Sequence, residues 1–83
     1  MAFSNAQKLQ SLGVPTPLAI ELGDQLASGT GDSRRLQELS LAPSALADYV
    51  AASITAAEMD GQLATRYGMD TVLAKFLADQ VNA

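Results

Sequence analysis

Hydrophobic residues recur along this chain in one spacing, three times over. In "LQSLGVPTPLAIELGDQL" they fall at Leu9, Leu12, Val14, Leu18, Ala19, Leu22 and Leu26. Aligning Leu12 with Leu39 and Tyr67 brings two more sets into register, with one extra residue at the turn of the second copy. The second set is Leu36, Leu39, Leu41, Leu46, Ala47, Val50 and Ile54. The third is Ala64, Tyr67, Met69, Leu73, Ala74, Leu77 and Val81. Self-similarity of this kind marks a repeat architecture.

Each copy predicts a helical hairpin. Asn5, Asp32 and Asp60 precede the first helix in one aligned slot, and all three are good N-caps. Gly13, Ser40 and Gly68 share the turn slot, where a small residue suits the left-handed position that ends a helix. One apolar residue then plugs the turn: Val14, Leu41 or Met69. Thr16 or Asp70 is placed to cap the second helix, and Pro17 is harmless in a first turn. Apolar residues spaced as Leu18, Leu22 and Leu26 give that helix one inward stripe. "SGTG", Ser28 to Gly31, reads as a flexible joint between the first two units. In the second joint, "TAAEMDG", Thr55 and Glu58 stand at a capping-box spacing. No firm helix breaker is present there, so whether the fourth and fifth helices are continuous stays open.

A single hairpin cannot bury its own stripe, but three together can. The expected fold is therefore all-α: three tandem helical hairpins, about six short helices, stacked into one small domain over residues 1–83. The units are expected at about 5–31, 32–59 and 60–83. Leu22, Val50 and Leu77 should be buried and equivalent. Composition agrees: Ala and Leu supply most of the 48% hydrophobic residues and only 5% are aromatic, which favours helix over sheet. The 83-residue chain has no cysteine to staple it, so the repetition must supply the core.

Charge and chemistry narrow the function. A net charge of −4 argues against a nucleic-acid partner. No apolar run reaches the length of a membrane span, and "MAFSNAQK" has neither the basic start nor the apolar core of a signal peptide. The chain has no histidine and no cysteine, which removes the commonest metal ligands and general base. Serines lack a histidine partner. Asp60 and Asp70 bracket a segment without the acidic residues of a calcium loop, and "SGTG" lacks the Gly-Lys-Ser/Thr of a phosphate loop. Glu21 and Asp24 belong to a solvated helix face. The expectation is a non-enzyme with no cofactor and no metal.

Three resemblances bear on the partner. "LGVPTPLAIEL" resembles the turn of a DNA-binding helix-turn-helix, but its second helix would set Glu21 and Asp24 against phosphates. The same stretch, with Leu12–Gly13–Val14 and Tyr67–Gly68–Met69, resembles the Met-Gly-Phe turn of the ubiquitin-associated domain. That resemblance implies a regulatory adaptor binding a host protein through one hairpin face. The third resemblance spans the chain. "LQSLGVPTPLAIELGDQL", "DSRRLQELSLAPSALADYV" and "YGMDTVLAKFLADQV" are similar to tandem units of small helical proteins in tailed-bacteriophage virions. Ser40 and Asp70 depart from that pattern, at its glycine and its proline. This resemblance implies a capsid-associated or other virion structural protein, assembled in the host cytoplasm. Its partners would be other virion proteins or further copies of itself.

Candidate contact residues are large side chains beyond the core's need. Glu21, Tyr49 and Phe76 share one slot, a residue before Leu22, Val50 and Leu77. Tyr49 and Phe76 either line the edge of the core or anchor a partner. Phe3 is either a hydrophobic staple on its own helix or an arm for a neighbour. Arg34 and Arg35 open the third helix, against its dipole. They either pair locally with Glu38 or meet an acidic partner.

Overall fold

The computed structural model describes residues 2–83, with side chains from Ser4 onward. Six helices follow in order: α1 (Ala2–Ser11), α2 (Thr16–Ser28), α3 (Ser33–Glu38), α4 (Ser44–Ala56), α5 (Gly61–Arg66) and α6 (Thr71–Asn82). No strand occurs among the described residues. The closest packing pairs α1 with α2, α3 with α4 and α5 with α6. The all-α fold of six helices is thus as the spacing predicts. Extents of 27 × 25 × 22 Å are nearly equal, so the hairpins surround one shared core rather than stand in a row.

The three turns are built alike. The plug amide donates back to the first helix: Val14 to the Leu9 carbonyl at 3.1 Å, Leu41 to Leu36 at 2.9 Å, Met69 to Ala64 at 3.1 Å. The residue before each plug has positive φ: Gly13 at 96°, Ser40 at 84°, Gly68 at 114°. This left-handed stop satisfies carbonyls that a helix end would otherwise leave unpaired. Ser40 adopts it despite its Cβ, at a cost of about 1 kcal/mol. The plugs Val14, Leu41 and Met69 are buried.

Leu22, Val50 and Leu77 are at most 1% exposed, in one cluster that draws on all six helices. Each such side chain contributes about 1.5–3 kcal/mol by leaving water. Leu26 and Leu73 are only partly buried, and one predicted core slot differs in all three copies. Leu12 and Leu39 are only half-buried, and Tyr67 is 37% exposed. The reason is local: Leu9, Leu36 and Ala64 lie inside with the plugs, so the side chain at the helix end is left on the rim.

The caps divide. The Asp32 carboxylate accepts from the Arg35 amide, and Asp60 accepts from Gln62 and Leu63. Asp70 accepts from Val72 and Leu73. Asn5 is not a cap, because α1 begins upstream at Ala2 with no breaker between. Nor does Thr16 cap α2: Pro15 holds the N-cap position, and the Thr16 hydroxyl accepts from Gln10 Nε2 at 2.8 Å.

The joints answer the question that the spacing leaves open and overturn two readings. Helices α4 and α5 are separate. Ala57, with φ of 59°, ends α4, and the Glu58 amide donates to the Ser53 carbonyl at 3.1 Å. Thr55 is no capping-box residue. It lies in the last turn of α4, where its hydroxyl accepts from the Gly31 amide at 2.9 Å. "SGTG" is therefore pinned. A Cβ on Gly31 would stand 1.9 Å from the Ala51 carbonyl oxygen, so only glycine fits there.

Candidate functional site

The candidate contact residues fall into two groups, one at each joint. At the first joint, Arg35 Nε lies 3.4 Å from Glu21 Oε1, reaching from α3 to α2. Arg35 Nη1 lies 3.4 Å from Glu38 Oε1 within its own helix. The local pairing open to Arg35 is thus realised. Arg35 is half-exposed in both pairs, which limits each to about 1 kcal/mol or less. Arg34 is exposed and forms no ion pair among the described residues.

At the second joint, Tyr49 is half-buried against the core. Its hydroxyl accepts from the Asp60 amide at 2.8 Å and donates to the Asp60 carbonyl at 3.4 Å. Its ring meets Tyr67 with centroids 5.4 Å apart and planes at 34°. Such a pair adds about 0.5–1.5 kcal/mol beyond burial. Glu21 and Tyr49, equivalent in the repeat, therefore do equivalent work: each reaches forward to the first helix of the next hairpin. Phe76, third in that slot, is half-buried on the core. No hydrogen bond or ion pair among the described residues joins the arginines to Tyr49 or Phe76. The Phe3 side chain lies outside the described residues.

Sequence reasoning missed a groove on the third hairpin. It is an open cleft of about 400 Å³ between α5 and α6. Gly61, Thr65, Thr71, Lys75, Ala78 and Asp79 are among its lining residues. The other two hairpins serve as internal controls. In the first, Gln10 and Thr16, at the positions of Thr65 and Thr71, hydrogen-bond across the two helices. In the second, Ser33 and Asp48, at the positions of Gly61 and Lys75, do the same, and Gln37 Nε2 donates to the Ser33 hydroxyl at 2.9 Å. The third hairpin has no such bridge among its described side chains. The Thr65 hydroxyl instead donates to the Gly61 carbonyl of its own helix at 3.0 Å. Aligning polar groups as well as apolar ones would have exposed this difference.

Comparison with known proteins adds no relative. No protein-family model, curated protein or solved structure matches the chain. Among the described residues there is no cluster of three or more carboxylates or other ligands able to hold a metal ion. No helix of the described residues is long and apolar enough to cross a membrane.

Proposed function

We propose that the chain is a non-enzymatic structural protein of a tailed-phage virion. It docks without turnover onto other virion proteins, as capsid decoration, head fibre or a head- or tail-associated component. The observation that carries this reading is the tandem pattern itself. "LQSLGVPTPLAIELGDQL" and its two looser copies share the spacing of such virion modules and build the same helix–turn–helix unit each time. A folded unit repeated three times suits docking to a lattice of identical partners. Large apolar groups supply the contacts, because exposed charges contribute little. Phe3 and Phe76 are the anchors, with Tyr49 held at the second joint and Arg34 and Arg35 secondary.

Mass spectrometry of purified virions tests the reading. The chain should appear in fixed proportion to the capsid protein. Its absence from particles, together with a stoichiometric host partner in a pull-down, would replace this reading with the host-directed adaptor. If the chain is present, alanine at Phe3 or Phe76 should weaken particle binding more than alanine at Arg34 or Arg35. Circular dichroism on each variant checks that the helices remain.

A further inference from the structure

We propose that the α5–α6 groove is a self-association surface, closed by the same groove of a second copy with the two α6 helices antiparallel. The reasoning starts from the three-fold repeat. Two hairpins bridge their outer groove with side-chain hydrogen bonds and the third leaves it open. Packing does not demand the glycine that helps open it. A Cβ on Gly61 would meet Ala74 and Ala78 at 3.4 and 3.5 Å, ordinary contact, where the other units carry Ala6 and Ser33.

The charges on the groove identify the occupant. Lys75 and Asp79 are exposed, one turn apart on one face of α6, and neither forms an ion pair among the described residues. Opposite charges spaced by one turn are complementary to themselves when reversed. An antiparallel second α6 sets Lys75 against Asp79 of the second copy, and Asp79 against its Lys75. A two-fold contact of this kind is the commonest way for identical chains to pair. The equivalent positions elsewhere, Ile20 with Asp24 and Asp48 with Ala52, lack this property. Asp60, also at the groove, accepts the Gln62 and Leu63 amides at Oδ1 and forms no ion pair with Lys75 among the described residues. Val72, 61% exposed and three residues before Lys75, adds apolar area beside the charges. The small contact makes a weak, rapidly exchanging dimer. This inference is independent of the virion reading, since it concerns the purified chain alone.

Sedimentation velocity on the purified chain, from micromolar to millimolar concentration, tests it. Wild type should pass from monomer to dimer. Lys75→Asp and Asp79→Lys should each weaken dimerisation roughly tenfold or more, because each places like charges together. An equimolar mixture of the two variants should dimerise again, since one carries two acids on this face and the other two bases. Gly61→Ser should weaken the dimer by filling the groove. Both charged sites are exposed, so helicity should not change. A wild type that stays monomeric throughout overturns the proposal. So does a dimer indifferent to both reversals, or a mixture of the two variants that stays monomeric.

Discussion

The two joints between hairpins do the same task by opposite means. In each, a side-chain amide holds both the N–H and the C=O of one backbone residue. At the first joint the amide is Gln25. Its Oε1 accepts from the Asp32 amide at 3.0 Å, and its Nε2 donates to the Asp32 carbonyl at 3.3 Å and to Glu21 Oε2 at 3.0 Å. At the second joint it is Asn82, which grips Met59 through two bonds of 2.9 Å. Gln25 comes from the helix just completed and is 3% exposed. Asn82 comes from the end of α6 and is exposed. The first joint is therefore locked from within by near neighbours, while the second waits for the last helix to dock. The bonds of both clamps are partly shielded from water, and Gln25 makes three where Asn82 makes two, so the first joint should be the stiffer.

The contrast is sharpest at Gly31. Gly31→Ala forces a methyl into the α4 backbone and should cost about 3 kcal/mol or more, read from urea denaturation. A loss below about 1 kcal/mol would mean that the joint is loose. Gln25→Ala comes next, at about 2 kcal/mol, since it strands the Asp32 backbone and the Glu21 carboxylate together. Asn82→Ala should cost about 1 kcal/mol. Hydrogen exchange at the Met59 amide should speed up in that variant while the Asp32 amide stays protected. Equal losses at Gln25 and Asn82 would erase the distinction between the two clamps. The smallest effect has the opposite sign. Ala57→Gly relieves a left-handed alanine and should stabilise the second joint by about 0.5 kcal/mol, net of glycine's entropy.

Legibility in the sequence followed the range of the interactions. Gly13 and Gly68, with their plugs Val14 and Met69, announced turns that close through bonds to Leu9 and Ala64, a few residues back. Asp32, Asp60 and Asp70 announced caps for the same reason. Asn5 misled because a good cap residue also tolerates a helix interior when the chain upstream is helical. Tyr49 was visible as a large side chain out of the core register, but its hydroxyl's grip on Asp60 was not. The third groove was hidden for another reason. It arises from what Gly61, Thr65 and Lys75 fail to bridge, and apolar periodicity carries no record of that.

Three hairpins, their turns and the faces that meet follow from local pattern: left-handed glycines, caps and apolar stripes act over a single turn or two of helix. Where the hairpins join depends on contacts across the fold. Gly31 reaches Thr55 and Met59 reaches Asn82, 24 and 23 residues away, and the Ala51 carbonyl packed against Gly31 makes glycine obligatory at the first joint. Local pattern cannot encode such contacts, because they exist only after the hairpins have closed on their shared core.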